Sequence, residues 1–272
     1  MTQGKEFAWT SADFDRVQSL IYKRAGISLH DGKHAMVYSR LSRRLRETGY
    51  QSFSDYLSWL ESSDGPEWQE FVNALTTNLT SFFREQHHFD VLASYLKANK
   101  APSGGWKIWC SASSTGEEPY SIVMTAVEAL GERGAFALSA SDIDSRVLAT
   151  AQRGVYRMDG IKGVDEGRLR KFFLRGKGTN EGLIQVRPDY RHMVQFLQVN
   201  LVKDGWPFRE PFDIVFCRNV MIYFDAKTQR GVLERIHACM KPGGLLFVGH
   251  AENFTDSKDL FLLKGKTVYE RR

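Results

Sequence analysis

The chain has 272 residues, 42% hydrophobic and 12% aromatic, enough to bury one large core or two smaller ones, and the length suggests about two domains. A formal net charge of +5 is too small an excess to demand nucleic acid, although it favours acidic over basic partner surfaces. Cys110, Cys217 and Cys239 lie far apart in apolar runs, which excludes a disulfide framework and a metal-ligand pattern; with no secretory leader, membrane-length apolar stretch or lipidation motif legible, a soluble cytoplasmic protein is expected.

From residue 11 to about 78, apolar residues recur at three- and four-residue spacing: Phe14, Val17 and Ile21, then Val37, Leu41 and Leu45, then Trp68, Phe71, Val72 and Leu75. This predicts a small helical domain over residues 1–77, with Gly26 and Gly49 stopping its first two helices. The second helix, about 33–48, carries Lys33, Arg40, Arg43, Arg44 and Arg46 with no acidic residue between 33 and 46. At about 100° per residue, the basic side chains lie opposite Val37, Leu41 and Leu45, with Lys33, Arg40 and Arg44 closest together. A solvated helix surface and a docking face for an acidic helix or for phosphates are equally open readings.

In NALTTNLTSFFREQHHF, 73–89, Asn78, Thr80 and Arg84 punctuate the pair Phe82 and Phe83 ahead of a helix over 86–98. Asn and Thr are good caps, so a helix start anchored by the two rings is the plain reading. His87, His88 and His250 show no metal-like spacing and read as structural. A linker at 102–105 leads into an α/β part.

Residues 106–121, WKIWCSASSTGEEPYS, combine a buried strand, a run of small residues from Ser111 to Gly116, and a helix start with Glu117, Glu118 and Pro119. Small residues let the main chain pass close to a ligand, and strand–loop–helix is the binding corner of a doubly wound sheet. With glycine only at 116, the loop is not a dinucleotide fingerprint, and two carboxylates would repel a phosphate. They suit a ligand bearing an ammonium and a sulfonium, as S-adenosylmethionine does. Equally, the glutamates could simply complement the helix dipole.

The strand at 136–141 ends at Asp142, where folds of this kind hold ribose hydroxyls; Asp144 is the alternative, though it also reads as the next helix cap. Residues 164–199 predict a charged helix and two short strands around a Gly-punctuated turn, an antiparallel insertion whose edge could accept a peptide strand. Asn200-Leu201 and Arg218-Asn219 follow two further strands, at positions that line the crevice of an open sheet. A helix over 227–240 should stop at Pro242-Gly243-Gly244, a strand should run over 245–249, and 260–264 with 267–270 should close as a hairpin.

Five stretches, NLTSFFRE at 78–85, SSTGEEPYS at 113–121, SDID at 141–144, RNVMIYF at 218–224 and PGGLLFVGHAEN at 242–253, together resemble the bacterial chemoreceptor glutamate methyltransferases, the CheR family. The resemblance spans essentially the whole chain. It implies an α/β methyltransferase, a doubly wound S-adenosylmethionine-dependent sheet over 78–272, with an N-terminal helical receptor-docking domain and a small antiparallel β insertion at about 165–192. It implies cofactor contacts at Asn78, Thr80, Arg84, Glu117, Asp142, Asn200, Leu201, Arg218 and Asn219, and roles for Arg84 and Tyr223 around the transferred methyl. Receptor docking falls on Lys33, Arg40, Arg43, Arg44 and Arg46, and the RGKGTNEG turn matches members that tether to a receptor C-terminal pentapeptide. The cofactor is S-adenosylmethionine, leaving S-adenosylhomocysteine, with no metal. The expected partner is the cytoplasmic part of a chemoreceptor, with no nucleic acid and a monomeric enzyme.

Such a reaction needs no general base, because a glutamate with pKa about 4.3 is already ionised near neutrality. Stripping water from the carboxylate and positioning it carry the burden. Two other readings remain open at this point. One is a methyltransferase for another acceptor, such as nucleic acid; no N/D-P-P-Y-type motif supports it. The other is a non-catalytic S-adenosylmethionine-binding module, against which the presence of both Arg84 and Tyr223 argues.

Overall fold

Thr10 starts the first helix, α1 (Ser11–Ala25), through a reciprocal box: its hydroxyl accepts from the Asp13 N–H, and the Asp13 carboxylate accepts from the Thr10 N–H at 2.9 Å. In this computed structural model, which describes residues 6–132, 134–254 and 257–272, α2 (His34–Thr48), α3 (Phe53–Ser62) and α4 (Glu67–Leu75) follow, and Gly26 and Gly49 close α1 and α2 as their sequence suggests. The predicted stripes, Phe14, Val17 and Ile21 with Val37, Leu41, Leu45, Phe71 and Leu75, are buried. Residues up to Thr77 form one compact unit together with Tyr223–Thr228, which return to it much later in the chain. There the Ser28 N–H donates to the Tyr223 carbonyl at 2.8 Å, and the Tyr22 hydroxyl to Asp225 at 2.8 Å.

The basic face of α2 is narrower than its sequence suggests. Arg44 is only 7% exposed: its Nε donates to Glu67 at 2.8 Å, and the Tyr56 hydroxyl donates to the same carboxylate at 2.7 Å. That hydrogen bond, with the surrounding charges, raises the Arg44 pKa despite burial. Arg44 is therefore a core ion pair, because a buried guanidinium without its acid would carry the whole desolvation cost. Arg40 donates to the Ala74 and Thr76 carbonyls and so caps the end of α4. Lys33, Arg43 and Arg46 are exposed, Arg43 beside Glu47 and Arg46 beside Glu6.

The second unit, residues 78–222 and 229–272, begins with α5 (His87–Ala98) and continues through β1 (Trp106–Cys110), α6 (Glu117–Leu130), β2 (Phe136–Asp142), α7 (Ser145–Arg153), β3 (Val155–Arg157), α8 (Glu166–Phe172), β4 (Phe173–Arg175), β5 (Leu183–Val186), α9 (Pro188–Arg191) and β6 (Val194–Gln198). It closes with β7 (Phe212–Cys217), α10 (Ala226–Ala238), β8 (Met240–Val248), β9 (Phe261–Gly265) and β10 (Val268–Arg271). Among the described residues, seven strands form one sheet in the order β6-β2-β1-β7-β8-β10-β9. The first five run parallel; β10 pairs antiparallel with both β8 and β9. The predicted terminal hairpin therefore belongs to the main sheet. Side chains such as Ile108, Phe216 and Phe247 bury against Tyr120, Ile122 and Val123 of α6 and Phe89 and Leu92 of α5 in one core.

Two local predictions need correction. Pro242, Gly243 and Gly244 lie inside β8: while β7 advances from Phe212 to Ile214, β8 advances from Met240 to Leu245. The extra residues form a bulge, which tolerates a proline lacking an N–H. The small insertion is a three-stranded sheet, order β3-β5-β4, because Val155–Arg157 joins the predicted pair as a third strand.

Candidate functional site

In the sheet order, β1 has β2 on one side and β7 on the other, so the chain changes direction of winding at its end, where open α/β sheets bind ligands. The loop after β1 prolongs the ladder by one step on each side: the Ser111 N–H donates to the Phe216 carbonyl and the Ser113 N–H to the Ser141 carbonyl, each at 2.8 Å. Ser114 then turns with φ 47° and donates its N–H to the Asp142 carboxylate at 2.9 Å. Gly116 has φ 102°, and a Cβ there would lie 2.8 Å from the Tyr156 hydroxyl oxygen and 2.9 Å from the Ala151 Cβ. Only glycine satisfies both demands, which explains why the loop's single glycine stands at the mouth of α6.

The paired glutamates at the start of α6 separate in role. Glu118 is buried and does not face a ligand: it accepts from the Arg218 guanidinium at 2.5 Å and from the Cys110 thiol at 3.3 Å. Glu117 is half-buried, accepts from the Thr115 hydroxyl at 2.6 Å, and has its carboxyl pKa raised by burial. The sequence reading of two carboxylates for a cationic ligand thus reduces to one, because the buried guanidinium requires the other.

Asp142 and Asp144 also divide. Asp144 caps α7, accepting from the Arg146 and Val147 N–H groups, and its second oxygen accepts from the Asn78 amide at 2.8 Å. Asp142 is 8% exposed and accepts from the Ser114 and Asp144 N–H groups, while burial pushes its carboxyl up to about 6. The Asn78 carbonyl accepts from the Ser114 hydroxyl at 3.1 Å, tying segment 78–85 to the loop. The turn after β6 is tied to the same place, since the Val199 N–H donates to the Asp142 carbonyl. There Leu201 is buried, and the Asn200 side chain accepts from the Val202 N–H at 3.1 Å.

Thr80 and Arg84 are half-buried, and Arg84 Nη1 donates to the Leu79 carbonyl at 2.8 Å. Phe83 and Glu85, on either side of Arg84, have φ of 52° and 58°, a strained turn held by burial of the Phe82 and Phe83 rings and by the Ser121 hydroxyl accepting from the Phe83 N–H. The Arg218 side chain is wholly buried, paired with Glu118 and with Glu85 at 3.4 Å, and it donates to the Arg84 carbonyl. Its guanidinium braces the Arg84 turn from beneath. Asn219, with φ 56°, donates its amide to Glu85 at 3.4 Å and its N–H to Glu252 at 2.9 Å. Tyr223 ends the short helical turn Met221–Tyr223 and is grouped with the helical unit.

Sequence reasoning did not assign Glu85 and Glu252, and it gave Glu118 to a ligand rather than to Arg218, although all three stand inside the quoted motifs. Glu85, His87 and His88 also bring possible ligand atoms within 4.8 Å of one another, despite spacing that did not suggest it. Burial, then the nearby Arg218 charge, holds the His88 pKa down at about 3, so its ring is neutral. Burial opposes ionisation of Glu85, but Arg218 together with hydrogen bonds from the His250 main chain and the Asn219 amide outweighs it, and the pKa is lowered. The guanidinium is the cation this carboxylate already has.

The geometry assembles Asn78, Arg84, Asp142 and Asn219, the Asn200-Leu201 turn and the start of α6 around the carboxyl ends of β1, β2, β6 and β7. Comparison with known proteins finds a match in both parts of the chain. Residues 78–269 match the family described as CheR methyltransferase, SAM binding domain, and residues 12–76 match CheR methyltransferase, all-alpha domain. A chemotaxis protein methyltransferase of Klebsiella aerogenes is 49% identical over 96% of this chain and 89% of its own length. Its counterpart in Salmonella typhimurium is 49% identical over 99% of this chain and 92% of its own, and that of Escherichia coli is 48% identical over 97% and 92%. With both domains matched and close relatives aligned nearly end to end, the chain belongs to the CheR methyltransferase family.

Proposed function

We propose that this chain transfers the methyl group of S-adenosylmethionine to glutamate side-chain carboxylates of chemoreceptors, giving methyl esters in the adaptation step of chemotaxis. What supports the reading is the end of β1, where a small-residue loop bonds through Ser114 to the buried Asp142, with its raised pKa, and leads into the half-buried Glu117. The similarity to chemotaxis protein methyltransferases supports the acceptor.

The side chains present fit the donor. Glu117 is the acid left for an ammonium once Glu118 is paired, and Asp142 keeps lone pairs for ribose hydroxyls beyond the two N–H groups it accepts. Asn78, Thr80, Arg84, Asn200, Leu201 and Asn219 complete the wall, and Arg218 contributes through its main chain and by bracing Arg84. When bound, the donor supplies a sulfonium-activated methyl group. Arg84 orients the acceptor carboxylate by one oxygen, leaving the other free, and Tyr223 positions the same group through its hydroxyl. Neither has to move a proton, because the carboxylate is ionised at neutral pH.

Residues 1–77 serve as the receptor-docking domain and 78–272 as the methyltransferase domain. Lys33 at the start of α2 and Arg43 and Arg46 on it present the docking charge, with Arg40 at its margin, while Arg44 holds the helices together from inside. The insertion at about 165–192 supplies β4 and β5, and in the small sheet they form with β3 the outer strands β3 and β4 offer edges to which a receptor C-terminal pentapeptide would add as a strand. The enzyme acts as a cytoplasmic monomer.

The test is mass spectrometry of a receptor cytoplasmic fragment after incubation with enzyme and donor. A methyl ester on glutamate is expected, falling at least tenfold with Arg84→Ala or Tyr223→Phe in folded protein. Donor binding without any ester would favour a non-catalytic module, and label transferred to RNA instead would favour another acceptor.

A further inference from the structure

Glu252 lies just beyond β8 and is 4% exposed. Its carboxylate is held by main-chain donors: the N–H groups of Asn219 at 2.9 Å, Met221 at 2.8 Å and Gly249 at 2.5 Å all point at it. A buried carboxylate is tolerable only with such donors, and here they come from two different loops. The Glu252 N–H returns a bond to the Gly249 carbonyl at 2.9 Å.

A second feature fixes the same turn from the other side. A Cβ on Gly249 would lie 2.3 Å from Asn219 Nδ2 and 2.8 Å from the Asn219 N, so the end of β8 approaches this turn only because it lacks a side chain. Asn219 itself stands at φ 56°, a conformation a non-glycine residue keeps only when its surroundings over-determine it. Residues 219–221 are thus clamped by a carboxylate and by a close backbone approach, and they lead directly into Tyr223.

We propose that Glu252 is a positioning residue for methyl transfer, holding the main chain of residues 219–221 so that Asn219 meets the donor. This rests on the functional reading above. Glu252→Gln replaces one acceptor oxygen with an NH₂ that opposes the N–H donors, and Gly249→Ala pushes the Asn219 main chain off the same carboxylate while leaving the acid itself in place.

In both variants, checked for folding by circular dichroism, S-adenosylhomocysteine should bind about tenfold more weakly by calorimetry. The kcat for a receptor fragment should fall by up to about a hundredfold, the loss expected from a misplacement of roughly 1 Å, with the receptor KM changed less than about twofold because docking lies elsewhere. Hydrogen exchange at the Asn219 and Met221 amides should accelerate in Glu252→Gln. Folded variants with wild-type binding and kcat would overturn the proposal, as would faster exchange at those amides with unchanged binding. If Glu252→Gln does not fold, Gly249→Ala decides by the same binding and kinetic readouts. A wild-type enzyme that binds S-adenosylhomocysteine but esterifies no receptor would sink the acceptor assignment, while binding and exchange would still judge Glu252.

Discussion

Asp142 accepts two main-chain N–H bonds, yet burial still lifts its carboxyl to about 6. Because the folded pKa lies above the ordinary carboxylate value, the group binds its proton more tightly when folded. Its contribution to stability is therefore fully present below about pH 3.9 and is lost as pH rises through about 6, on the order of 3 kcal/mol for the ligand-free protein. In the proposed complex, ribose hydroxyls donating to the ionised form act in the opposite sense. The affinity for S-adenosylhomocysteine should fall below pH 6, approaching about tenfold per pH unit, and Asp142→Asn should flatten that part of the profile in calorimetry from pH 5 to 8. Asp142 was legible because it ends a strand at a set distance from the small-residue loop. Arg44 and Arg218 were not, because whether a guanidinium is buried depends on acids brought from 23 and 100 positions away.

The strand, loop and helix over 106–121 were readable because each has its own local chemistry: an apolar run, a stretch of small residues, and acids with proline at a helix start. Their dependence on Gly116 gives a sharp expectation. Gly116→Ala places a methyl group against Tyr156 and Ala151 at a φ that alanine resists, so it should cost roughly 1–3 kcal/mol in urea unfolding and weaken donor binding far more than Gly131→Ala, where nothing lies within 4 Å. Strand β3 escaped sequence reading because three residues show no period, and its pairing with β5 is a tertiary event. The β8 bulge escaped because Pro-Gly-Gly ordinarily marks a loop, and only the offset against β7 reveals the pairing that continues around it.

For the whole molecule, the net charge of +5 matters less than which basic side chains reach solvent. Lys33, just before α2, and Arg43 and Arg46 on it do so, and exposed charges are screened by salt. The receptor KM should therefore rise with ionic strength, and a Lys33→Glu, Arg43→Glu double variant should raise it severalfold while kcat and donor affinity stay near wild type. Steady-state kinetics at two salt concentrations checks this. Domain order and the motif-bearing crevice could be read from the chain, whereas the return of Tyr223–Thr228 to the helical unit could not, since nothing local in those residues marks it.

The position of β10 bears on how the protein is made. It is the final strand of the described residues, yet it lies between β8 and β9, with Val268 and Tyr269 buried. During synthesis the flank of β8 stays bare until that segment has left the ribosome. An open strand edge invites pairing with other chains. Until β10 arrives, the nascent protein thus holds a finished ligand corner and an unfinished sheet at once, and that interval is its aggregation-prone one.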